Sequence, residues 1–188
     1  MKLHAYIFGL VFFAIACISI SCRKGTTQEI TFPEITQEGK NTFGCYIDGN
    51  QFIAASTIFG LVRPINANYY YDSAKDFKAG SLFIQGIDAR STLPVAGSIA
   101  IQKMSVFGAG TLPLTFVSNC NKPYTCDASF YYNSQLSRNY FAETGELTIS
   151  KLDTVNKIIS GTFHFTAKDS IGVKTEISNG RFDVKYSQ

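Results

Sequence analysis

The C-terminal third of this chain alternates apolar and polar residues with a period of two, and nothing else in the sequence restricts the fold as strongly. Gly161-Thr-Phe-His-Phe-Thr-Ala167 sets Phe163, Phe165 and Ala167 on one side and Thr162, His164 and Thr166 on the other. Arg181-Phe-Asp-Val-Lys-Tyr186 repeats the pattern, with Phe182, Val184 and Tyr186 opposite three charges. Gly145-Glu-Leu-Thr-Ile-Ser-Lys-Leu152 begins the same way. Such a pattern cannot line one face of a helix, but an antiparallel strand buried on one side requires it. The intervening turns, at 153–156 and 169–172, are short, so three neighbouring antiparallel strands are expected as a meander.

The rest of the domain reads similarly. Residues 43–47 meet 51–54 across Asp48-Gly49-Asn50, a hairpin signal. Further strands are expected at 67–71, 81–87, 97–104, 114–117 and 128–132, with a loop at Gly108 and Gly110 and a short helical turn near 56–59. No helical periodicity is sustained after the N-terminal apolar run. The expected fold is all-β, an antiparallel sandwich or partly open barrel of about eight to ten strands.

The N-terminus reads as an export signal. Met1-Lys2-Leu3-His4 precedes an apolar run from Ala5 to Ala16, the pattern of a secretory signal rather than a spanning helix. An uncleaved anchor is the alternative if the run extends through Ile18 and Ile20. The run ends Ala14-Ile-Ala-Cys17-Ile-Ser-Ile-Ser-Cys22-Arg-Lys24. A small residue before a cysteine resembles the bacterial lipobox, whose cysteine is acylated and becomes the first mature residue. Cys22, with Ser21 before it and a polar tail after it, is the favoured site; Cys17 is the alternative. Ser19 and Ala14 stand where such signals usually carry leucine. An ordinary secreted protein is the competing reading. The expected organisation is a signal over 1–21, a flexible polar tether over 22–41 and one β domain over 42–188.

Removing residues 1–21 from the 188 leaves 167, enough for one core. It also removes Lys2, leaving 16 basic against 14 acidic residues. That balance does not suggest a nucleic-acid partner. Cysteine usage suits an oxidising compartment. Cys120 and Cys126 flank the turn-forming Asn-Lys-Pro-Tyr-Thr and are the expected disulfide, while Cys45 is left open as a partner for either. A metal site is not expected, because His164 is the one mature histidine and structural zinc wants four Cys or His ligands. No cofactor motif is present: Gly108-Ala-Gly110 is a loop and not a phosphate cradle.

Three segments carry a family resemblance. Asn41-Thr-Phe-Gly-Cys-Tyr-Ile-Asp-Gly-Asn50 is similar to one end of a group of uncharacterised Bacteroidota lipoproteins. The other end is matched by residues 145–153, Ile159-Ser-Gly-Thr-Phe-His-Phe165 and Asn179-Gly-Arg-Phe-Asp-Val184. The resemblance implies a lipoprotein of unknown function and transfers no catalytic residue. Some surface-exposed lipoproteins of these bacteria carry an acidic run after the lipidated cysteine. Arg23-Lys24 stands here instead, which favours an outer-membrane protein facing the periplasm over one exposed on the surface. Asp72-Ser73-Ala74, Asp153-Thr154-Val155 and Asp169-Ser170-Ile171 resemble the O-glycosylation acceptor of Bacteroidota envelope proteins, with Ser73, Thr154 and Ser170 as acceptors.

The expected function is a lipid-anchored, non-enzymatic module that binds a glycan, a lipid or a protein. The alternatives are an assembly protein without a small ligand and, third, an envelope hydrolase. Tyr69-Tyr-Tyr71 and Phe130-Tyr-Tyr132 must expose some rings by alternation, so Tyr70 and Tyr131 are the candidate ligand-stacking residues. No serine has a nucleophile elbow around it, and His164 is expected on a solvated strand face. A binding module should gather aromatics on one concave face. An interaction protein should show an apolar patch or a free edge, and an enzyme clustered titratable groups in a pocket.

Overall fold

The computed structural model describes residues 31–56, 60, 62–71, 80–90, 97–115, 127–132 and 138–187. These form one curled antiparallel sheet, a half-barrel of ten strands. The strands are β1 (Thr42–Ile47), β2 (Asn50–Ile53), β3 (Ile65–Tyr71), β4 (Gly80–Asp88), β5 (Gly97–Met104), β6 (Gly110–Pro113), β7 (Ala128–Tyr132), β8 (Arg138–Asp153), β9 (Ile158–Lys168) and β10 (Lys174–Lys185). Their order is β2-β1-β10-β9-β8-β7-β5-β4-β3, with β6 also paired to β8.

The expected meander is β8–β9–β10, and the expected hairpin is β1–β2. Asp48 and Gly49 both have positive φ, 48° and 78°, the conformation of a two-residue hairpin turn that follows strand twist. β8 is longer than its alternation suggests. Bulges between Ala142 and Thr144, and between Ile149 and Lys151, break its period. β6 precedes the strand expected at 114–117, of which residues 116 and 117 lie outside the described residues. Leu114 then follows as a core residue. Of the expected helical turn, residues 57–59 lie outside the described residues.

The concave face holds the core. Phe43 and Phe52 meet Ile84, Ile101, Ile149, Phe163, Phe165 and Phe182 there. Phe43 of β1 lies across the interior against Gly86 of β4, where an added Cβ would come within 2.3 Å of its ring. The sheet curls far enough for its flanks to touch. Ala55 beyond β2 donates to Ile87 O and accepts from Ala89 N–H, and Ser187 beyond β10 exchanges bonds with Ala67 and Tyr69 of β3. Both edges are thereby covered in part, which limits edge-to-edge pairing.

Two readings change in the described structure. Residues 31–41, the second half of the expected tether, are not free. Residues 31–41 form a strap along the outer face of β1, with Phe32 against Tyr46, Pro33 against Gly44 and Thr36 against Asp183. Polar composition suggested a free linker, but here the polar groups serve as donors to a buried carboxylate. Cys45 is not a disulfide partner: it is a free thiol inside the core. Burial pushes that thiol well above its ordinary range, which makes it unreactive. Cys120 and Cys126 lie outside the described residues. Asp127 accepts from Thr115 N–H at 3.0 Å and from Lys103 Nζ at 2.8 Å.

Candidate functional site

The outer face of β8–β9–β10 carries an open groove of about 480 Å3, walled on one side by Ile35 of the strap. Strand register sets its floor. Glu146 pairs directly with His164, placing their Cβ atoms about 5 Å apart. Thr148 pairs with Thr162, and Thr162 with Arg181. Opposite His164 the β10 register slips between Ile177 and Gly180. This bulge turns Ser178 and Asn179 into the groove, with Asn179 at φ 50°. The bulge needs Gly180, because a Cβ there would lie 2.5 Å from the Phe163 ring. Among the described residues, no hydrogen bond or ion pair engages the side chains of Glu146, His164, Ser178 or Asn179 with protein. Their polar atoms therefore face solvent and are open to a ligand.

Arg181 is the exception, because the strap holds it. Its guanidinium donates to Pro33 O at 2.9 Å and lies 4.8 Å from the Phe32 ring centroid, a cation–π arrangement. The strap is pinned at Asp183, two residues further along β10. Asp183 sits with the charged face expected from alternation, yet it is only 1 % exposed. Its carboxylate accepts from Thr36 Oγ1 (2.6 Å), Glu38 N–H (3.0 Å), Gly39 N–H (2.8 Å), Lys40 N–H (3.2 Å) and Ser160 Oγ (2.7 Å). Burial pushes this carboxyl up, but those donors outweigh burial and hold it at about 2. The groove wall is thus positioned by a buried charge that sequence alternation assigned to solvent.

The family model of a domain of unknown function, DUF6252, matches residues 66–184, which is 119 of the 188 residues. The chain belongs to this family. No curated protein and no solved structure matches it. The DUF6252 match includes every groove residue from Glu146 to Arg181 but neither the strap nor the hairpin β1–β2. The strap's Ile35 and Pro33 therefore lie outside the matched region, although they shape the same groove.

The DUF6252 half-barrel does not bring the two candidate tyrosines together. Tyr70 and Tyr131 are both exposed on the convex face. Tyr70 lies level with Met104 through Ser81, and Tyr131 pairs with Ser98. Those β5 positions are six residues apart, roughly 20 Å. The concave face that was to gather aromatics is filled by core side chains instead. Tyr70 does join Tyr71, Met104 and Phe107, all exposed, in an apolar rim at the end of the barrel where β3 and β5 finish. His164 is exposed, as its alternation indicated, but its pairing with Glu146 depends on register. Among the described residues no three His, Cys, Asp or Glu side chains are grouped to hold a metal, and no helix is long and apolar enough to cross a membrane.

Thr154 and Ser170 both sit on exposed turns; Ser73 lies outside the described residues. In each turn the aspartate faces inward. Asp153 accepts from the N–H groups of Val155 and Asn156, and Asp169 from those of Ile171 and Val173. Bonds from the Asn156 side chain and backbone hold Asp153 at about 2. Each aspartate thus stabilises its turn while the next residue projects outward.

Proposed function

We propose that the mature chain is a lipid-anchored envelope protein, acylated at Cys22 and facing the periplasm from the outer membrane. Its half-barrel is a non-enzymatic module that binds a polar ligand, best matched by a glycan, in the groove over β8–β10. The groove is the observation that carries this reading. It offers a carboxylate, an imidazole, a hydroxyl and an amide, none of them engaged with protein among the described residues. Such mixed donors and acceptors match the hydroxyl array of a sugar better than the apolar tail of a lipid. The groove is open, whereas charge-stabilising catalysis works best where water is excluded. The detergent-solubilised full chain should bind envelope glycan fragments in titration calorimetry. His164→Ala combined with Asn179→Ala should weaken binding about tenfold, the scale of one or two lost hydrogen bonds. Equal binding by the double variant would rule out this groove as the site. Acyl-chain labelling that persists in Cys22→Ser would reassign the anchor to Cys17.

The apolar rim of Tyr70, Tyr71, Met104 and Phe107 supports a second reading, an assembly protein that docks a partner at that end. Thr154, exposed beside an inward-turned Asp153, is proposed as an O-glycosylation acceptor. An intact mass of native protein without added sugar would exclude it.

A further inference from the structure

The turn between β9 and β10 carries apolar residues at its tip. Ile171 is 73 % exposed and Val173 43 %, at positions where turns normally take Gly, Asn, Asp or Ser. The turn is rigid. Asp169 Oδ1 accepts from Ile171 N–H at 3.0 Å and Val173 N–H at 2.8 Å, its carbonyl accepts from Gly172 N–H at 3.2 Å, and its own N–H donates to Val173 O at 3.0 Å. Arg138 Nη1 adds a bond to Asp169 Oδ2 at 3.3 Å. A turn tied this way cannot fold its two apolar side chains back onto the barrel. Lys168 and Lys174 flank it, with side chains 45 % and 62 % exposed, both directed to Glu143.

The strap shows at which end of the barrel the described residues begin. Residues 32, 33 and 36 lie against Tyr46, Gly44 and Asp183 in turn, and Asn41 Oδ1 accepts from Lys185 N–H. Followed backwards, the strap runs toward the end of β1 at Ile47, the end at which β9 turns into β10. Tyr46 pairs with Ser178, and from Ser178 to Lys174 is four residues of strand, about 13 Å. Nine residues, 22–30, connect Cys22 to the strap, and an extended chain of that length spans at most about 30 Å. The apolar rim around Tyr70 lies at the opposite end.

We propose that the β9–β10 turn contacts the bilayer that holds the anchor. Ile171 and Val173 enter the headgroup–acyl boundary, and Lys168 and Lys174 meet lipid phosphates. The inference rests on the lipid-anchor reading and adds the orientation of the domain: one end on the membrane, the groove on its side and the apolar rim facing away.

The chain contains no tryptophan, so a single introduced indole reports its surroundings cleanly. Full-length Ile171→Trp and Val155→Trp chains would be reconstituted in phosphatidylethanolamine–phosphatidylglycerol vesicles with brominated acyl chains. Val155, 87 % exposed at the opposite end, is the control. Bromine should quench the indole of Ile171→Trp at least twofold more than that of Val155→Trp, as burial to the acyl boundary implies. Equal quenching, or stronger quenching in the control variant, overturns the orientation. A native intact mass showing a sugar on Ser170 does so too, since a glycan there blocks the contact. Acyl labelling of the same preparation separates failure of the anchor from failure of the contact: a lipidated Ile171→Trp chain whose indole stays unquenched defeats the contact alone.

Discussion

Asp183 shows how much one side chain can organise. Five donors converge on it, four of them from residues 36–40 of the strap. Its folded pKa, about 2, lies below the ordinary value near 4. A depressed carboxyl stabilises the fold above the unfolded pKa, and that contribution disappears as pH falls through the folded one. Asp183 should therefore contribute roughly 2 kcal/mol at neutral pH, lost between about pH 4 and pH 2. Denaturant melts of Asp183→Asn across that window should show a shallower acid limb than the parent. Limited proteolysis should cut the strap of the variant first. An unchanged acid limb would mean that other carboxylates dominate. Cys45, buried with a raised thiol pKa, should resist alkylation until the protein unfolds, as peptide mass mapping would show.

Among the strands, β10 does two jobs through one irregularity. Before the bulge, Thr175 and Ile177 face the core; after it, Phe182 and Val184 do, although the spacing between the two sets is odd. The bulge absorbs the extra residue and aims Ser178 and Asn179 outward. Gly180→Ala puts a methyl group against the Phe163 ring and should cost about 1–3 kcal/mol, the range for overpacking a filled core. It should also weaken any groove ligand, because Asn179 moves with it. A variant of unchanged melting temperature would show that the ring yields freely. The alternation of β9 was legible because that strand is regular. β8 and β10 were legible only in part, because bulges interrupt the count.

Taken whole, the domain depends on closing a sheet whose first strand pairs with its last. Phe43 joins these parts. It contacts the rings of Phe52 in β2 and Phe163 in β9, at centroid distances of 6.4 and 5.2 Å, and packs on Gly86 in β4. Phe43→Ala should cost about 3–5 kcal/mol in chemical denaturation. Val155→Ala, at an exposed turn, should stay within about 0.5 kcal/mol. Comparable losses for both would mean that the curled interior is not the centre of stability.

Strand periodicity, the β1–β2 hairpin, the β8–β10 meander and the exposure of His164 all follow from local pattern and turn chemistry. These are properties that neighbours along the chain settle between themselves. What depends on distant cover and on register could be seen only in the folded sheet. Asp183 lies on the polar face of its strand and is buried all the same, because Thr36, 147 positions away, lies over it. Tyr70 and Tyr131 share an exposed face but sit at different heights along β5, so they cannot form one site. Glu146 meets His164, and Ser178 and Asn179 turn outward opposite it, through pairings that include a bulge. Periodicity tells which side a residue takes. What stands above that side is set by strands and loops far away in sequence, whose placement no local pattern encodes.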